Sequence, residues 1–84
     1  MTYELVLDLK VLEFLKDLPK DLRKRIFEKM AAAKENPRHF FERLEGRKDY
    51  RLRVGDYRVI ADIDPSLRRI EVTFIDHRKR VYKR

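Results

Sequence analysis

Eighty-four residues allow one domain with a modest hydrophobic core, because chains this short bury only a little over half of their unfolded surface. Without cysteine and with two isolated histidines, the chain offers no disulfide, no thiol chemistry and no convincing zinc site; no run approaches the roughly 18 apolar residues of a membrane span, and the N-terminus lacks a secretory pattern. A cytoplasmic domain over residues 1–84, working with oxygen and nitrogen groups and needing neither metal nor cofactor, is expected.

The first element is a short strand, in which Tyr3, Leu5 and Leu7 alternate with Glu4, Val6 and Asp8. From Asp8, a residue type suited to capping, Val11, Leu12, Leu15 and Leu18 fall at the spacing of one helical face, and Pro19 stops that helix or opens the next. The second helix places Leu22, Ile26, Met30 and Ala33 on one stripe with Arg and Lys opposite, until Asn36-Pro37 ends it. Residues 38–48 have no sustained period; Phe40, Phe41 and Leu44 are expected to pin the connection to the core before Gly46 breaks it.

Strands follow. Tyr50, Leu52 and Val54 alternate with Arg51 and Arg53, Gly55-Asp56 forms a two-residue hairpin turn, and Tyr57, Val59, Ala61 and Ile63 resume the alternation. Asp64-Pro65-Ser66 makes the next turn, and Ile70, Val72 and Phe74 alternate with Glu71, Thr73 and Ile75 in the last strand. The order β-α-α-β-β-β predicts an α+β two-layer domain, with the N-terminal strand and helical hairpin packed on an antiparallel sheet.

Charge is distributed unevenly over these elements. The net charge of +7 divides into 10 basic against 9 acidic side chains over residues 1–46 and 12 against 6 over residues 47–84. The positive field of the second half suits a polyanion, although solubility alone also favours a net charge away from zero. The hairpin turn sets Val54 against Tyr57, Arg53 against Arg58 and Leu52 against Val59. Two arginines thus face each other directly, which is unfavourable by some tenths of a kcal/mol, and Arg51 shares their face. On the alternative reading this face is merely solvated, with Asp62 or Glu71 neutralising it. Beyond the last strand, Arg78, Lys79, Arg80, Lys83 and Arg84 surround Val81 and Tyr82. An apolar and an aromatic residue in so charged a run point to docking on the domain rather than to a plain cationic tail. Tyr82 and His77 are the side chains here suited to proton transfer or stacking; His39, beside Phe40 and Phe41, reads as structural.

The run from Tyr50 through Arg51, Arg53, Gly55, Tyr57 and Arg58 to Ile60 follows Leu44-Glu45-Gly46 and precedes Phe74-Ile75-Asp76-His77-Arg78 and Val81-Tyr82. Together these resemble the core pattern of RelE/ParE-superfamily toxins of type II toxin–antitoxin systems, in the RelE-like branch. The resemblance spans the chain. It implies a microbial-RNase-like fold and, for that branch, a ribosome-dependent endoribonuclease that cleaves mRNA in the ribosomal A site. It also implies a RelB-like antitoxin as partner, alongside mRNA and ribosomal RNA. By position, Arg53, Arg58, Arg78 and Tyr82 match the catalytic set, while Arg51, with His77, Arg80 and Lys83, is assigned to phosphate and RNA binding. Arginine is effectively always protonated, so proton transfer falls to Tyr82 or His77. The competing expectations are a ParE-like inhibitor of DNA gyrase that cuts no RNA, and a non-catalytic basic RNA-binding protein.

Overall fold

A computed structural model describes residues 2–44 and 49–77. Its elements are β1 (Glu4–Leu7), α1 (Leu9–Lys16), α2 (Lys20–Glu35), α3 (Pro37–Phe40), β2 (Glu42–Arg43), β3 (Tyr50–Val54), β4 (Tyr57–Asp64) and β5 (Arg69–His77). The five strands form one sheet in the order β1-β5-β4-β3-β2. β1 runs parallel to β5, and every other pairing is antiparallel. The α+β two-layer architecture is as expected, with two additions. The connection after α2 holds a single helical turn, α3, and a two-residue edge strand, β2; both are too short to leave a periodic signature. The predicted break at Gly46 lies outside the described residues.

Local chemistry accounts for the helix boundaries. Asp8 occupies the N-cap of α1, but its carboxylate makes no capping bond; its carbonyl accepts from the amides of Val11 and Leu12 at 3.0 and 3.1 Å. Pro19 stands at the N-cap of α2, where a missing N–H costs nothing, and its carbonyl accepts from Arg23 at 3.0 Å. Asn36 closes α2, and Pro37 opens α3. No helix among the described residues is long and apolar enough to cross a membrane.

One face of the sheet is covered by α1 and α2. Val11 and Leu15 of α1 and Ile26, Met30 and Ala33 of α2 meet Leu52, Val54, Val59, Ala61, Ile70, Val72 and Ile75 in one buried cluster, pinned from the connection by Phe41. Leu12 departs from expectation: it is exposed beside the buried stripe of Val11 and Leu15.

The largest correction concerns β5. Strict alternation from Ile70 and Val72 sends Phe74 into the core and Ile75 outwards, whereas Ile75 is buried and Phe74 is 52% exposed. The register explains it. Ala61 pairs with Val72 and Ile60 with Phe74, so Thr73 is an extra residue opposite the Ile60/Ala61 step, a β-bulge. Everything beyond Thr73 changes face, and Asp76, which the unbroken pattern would bury, is turned out of the core.

Candidate nucleic-acid interface

The face of the sheet turned away from the helices carries two rungs of side chains. The β3–β4 register sets Arg53 against Arg58 as the turn predicts, with Gly55 at φ 60° supplying the left-handed residue, and the β4–β5 register sets Arg58 against Asp76. The neighbouring rung runs from Glu42 on β2 through Arg51 and Ile60 to Phe74. Arg51, Arg53 and Arg58 therefore share one face, and carboxylates flank them from the strands on either side.

These carboxylates relieve the like-charge opposition. Asp76 Oδ2 accepts from Arg58 Nη2 at 3.2 Å, with the side chains 19% and 28% exposed, and Glu42 Oε1 accepts from Arg51 Nη2 at 2.8 Å. The hydrogen bond from Arg51, then its charge, hold the Glu42 carboxyl below the usual glutamate range; desolvation opposes them, and the charge of Arg53 adds a smaller lowering. Asp62 and Glu71, the neutralising carboxylates of the alternative reading, face one another across β4 and β5. Satisfaction is incomplete: Arg51 Nε, Arg58 Nε and Asp76 Oδ1 are buried without a hydrogen-bond partner. Beside them, Arg58, Ile60, Thr73 and Phe74 join Leu44 and Asp49 around a cleft of about 280 Å³.

His77 stands elsewhere. It pairs with Tyr57 on the helix-facing side of the sheet, edge-on to that ring at 4.8 Å, and Tyr57 meets Phe14 at 6.1 Å. His77 and Tyr57 line two clefts near the α1–α2 junction, one bounded by Leu22 and Arg25, the other by Phe14, Asp17 and Leu18. The bulge that turns Asp76 towards the arginines thus turns His77 away from them. His39 lies exposed on α3, its ring 4.9 Å from that of Phe40. Arg78, Arg80, Tyr82 and Lys83 lie outside the described residues. No group of three or more metal-ligating side chains occurs among the described residues.

Sequence reasoning missed three members of this face: Glu42, Phe74 and Asp76. A signal for the last two was present. Alternation carried through from Ile70 puts an aspartate in the core, and the cost of burying an unpaired carboxylate exceeds that of a bulge.

The family model for the ParE toxin of type II toxin–antitoxin systems, parDE, matches residues 5–82. Among curated proteins there is no match. Solved structures are similar over nearly the whole chain. A chain of the archaeal RelE–RelB complex from Pyrococcus horikoshii is 31% identical, with 95% of this chain and 99% of that one covered at a TM-score of 0.81. A chain of the Mycobacterium tuberculosis RelBE2 toxin–antitoxin complex is 21% identical, with 93% and 100% covered at 0.83. The intact Escherichia coli RelBE complex offers a match at 19% identity, with 89% and 95% covered at 0.77; these last two likenesses are of fold.

Proposed function

Since the chain belongs to the RelE/ParE superfamily and is a toxin of a type II toxin–antitoxin system, we propose that it acts as a ribosome-dependent mRNA endoribonuclease held inactive by a RelB-like antitoxin. The observation that carries this reading is the direct opposition of Arg53 and Arg58, with Arg51 beside them, three guanidinium groups on one face against two flanking carboxylates, Glu42 and Asp76.

In the proposed reaction the 2′-hydroxyl of one nucleotide attacks the adjacent phosphorus, the bond to the 5′-oxygen of the next nucleotide breaks, and a 2′,3′-cyclic phosphate remains. The attacking oxygen loses a proton and the departing oxygen gains one, so the balance is neutral and no metal is needed. Charge accumulates on the phosphorane oxygens, and fixed cations there typically contribute several kcal/mol to lowering the barrier. Arg53 and Arg58 take that role with Arg78, and Arg51, Arg80 and Lys83 hold flanking phosphates. Since His77 does not share a face with Arg53 and Arg58, the proposal gives the proton transfer to Tyr82. A RelB-like antitoxin would neutralise the toxin by covering this face.

Primer extension on mRNA in programmed ribosomes tests the reading, with wild type, Arg58→Ala and a ribosome-free control. Cleavage in the A site that needs the ribosome and falls by about 10²-fold or more in the variant is expected; equal cleavage by a folded Arg58→Ala protein refutes the role of this face. The match to the ParE toxin model supports a second reading, the ParE-like inhibition of DNA gyrase that the resemblance also implies. In that case wild type leaves the mRNA intact and blocks supercoiling at stoichiometric concentration.

A further inference from the structure

We propose that Phe74 is a stacking platform for one unpaired RNA base, completing a base-and-phosphate subsite with Arg58; the inference rests on the RNA-binding reading above and adds to it where a base is held. Other large apolar side chains exposed among the described residues lie on helix surfaces, as Leu9, Leu12 and Phe27 do, or at a turn, as Leu67 does. Isolated exposure of that kind needs no explanation. Phe74 differs because it stands within a central strand of the sheet, 52% exposed, on the face that carries Arg51, Arg53 and Arg58.

Its placement comes from a built feature. The bulge at Thr73 interrupts the β4–β5 ladder and brings Phe74 opposite Ile60, at the wall of the cleft shared with Arg58, Thr73, Leu44 and Asp49. Because Arg58 pairs with Asp76, Phe74 is its diagonal neighbour on the same face. Such neighbours stand about 7–8 Å apart, of the order of the reach from a nucleotide's phosphate to its own base. Surfaces that hold single-stranded nucleic acid combine cations along the backbone with aromatic rings under the bases, and the ring accepts any base because every base has a π-face. The cleft next to Phe74 is lined by apolar Leu44 and Ile60, by Thr73, and by the charged Arg58 and Asp49, which suits a flat, partly polar ring whose phosphate lies on Arg58. The three arginines gathered on this face favour RNA over an apolar peptide as its occupant.

The test uses the full chain, a short single-stranded RNA and the same backbone with abasic sites, compared at low salt for wild type, Phe74→Ala, Phe74→Trp and Arg58→Ala. Loss of one stacked base should weaken binding of the RNA by Phe74→Ala about fivefold to 150-fold while leaving the abasic strand unchanged. The chain has no tryptophan, so Phe74→Trp is a single reporter whose fluorescence RNA should quench and the abasic strand should not. If Phe74→Ala binds both strands like wild type while Arg58→Ala binds neither, phosphate recognition stands and the platform is overturned. If Arg58→Ala binds RNA as well as wild type does, the RNA-binding reading fails, and the platform with it. If Phe74→Ala weakens the antitoxin complex and leaves RNA affinity unchanged, the ring is a protein anchor and the proposal is wrong.

Discussion

Replacing Asp76 with Asn removes a charge and little else, which makes it a measure of how far the arginine face depends on its half-buried counter-charge. The Arg58–Asp76 contact is 3.2 Å between side chains 28% and 19% exposed, so it is screened less than a surface pair. An amide oxygen can still accept from Arg58, whose guanidinium stays charged, so the loss is the Coulombic part of the ion pair, about 1 kcal/mol for a pair partly open to solvent. Some tenths of a kcal/mol follow from leaving Arg53 and Arg58 opposed without relief. The sum is about 1–2 kcal/mol, or roughly 5–15 °C in Tm for a domain of this size. Thermal unfolding at low salt of Asp76→Asn, Arg58→Met and the double variant gives the coupling directly. A value of about 1 kcal/mol or more is expected; one within the roughly 0.5 kcal/mol error of additivity would refute the argument. Affinity for RNA should move oppositely to stability, rising severalfold in Asp76→Asn because a carboxylate has left the phosphate-binding face.

Three further perturbations probe the same face. Deleting Thr73 should be tolerated, at a cost of about 1–2 kcal/mol in thermal unfolding, because it removes the bulge and leaves Val72 and Ile75 facing the core in a regular strand. Deleting Glu71 instead pushes Val72 outwards and should abolish cooperative unfolding followed by circular dichroism. Glu42→Gln should release Arg51 and raise oligonucleotide affinity a few-fold at low salt, measured by anisotropy. The pH dependence has a definite sign. Glu42 has a lowered value in the folded protein, so its contribution is present above the unfolded value of about 4.3 and disappears as pH falls through the lower folded one. The Tm difference between wild type and Glu42→Gln should therefore close below about pH 4.

What the sequence made legible was whatever depended on local period and turn chemistry. The Gly55-Asp56 turn fixed the register of β3 on β4 to the residue, and with it the Arg53–Arg58 opposition. The stripe of Ile26, Met30 and Ala33 and the proline boundaries of α2 followed from the same rules. What stayed hidden depended on pairing at a distance. A bulge is defined by two strands together, so β5 read alone assigned Phe74 to the core and missed the separation of Asp76 from His77. Glu42 joins the site through a two-residue strand that has no period to detect. Leu12 shows a different limit: with one sheet to pack on, α1 buries the narrow stripe of Val11 and Leu15 and leaves its neighbour in water.

The parallel seam between β1 and β5 also orders events in time. Glu4 pairs with Arg69, 65 positions later, and Leu7 with Val72. The helices and the β3–β4 hairpin can form as they are made, while the seam must wait for the last described strand. That strand also delivers Asp76 and Phe74 to the arginine face. At about 5–20 residues per second of synthesis, Arg58 precedes Asp76 by roughly one to four seconds. Until β5 pairs, the arginine face lacks Asp76, the exposed ring and the closing strand. Closure of fold and assembly of site are then one non-local step, the slow kind. Translation itself defers the finished surface until nearly all of the described chain exists.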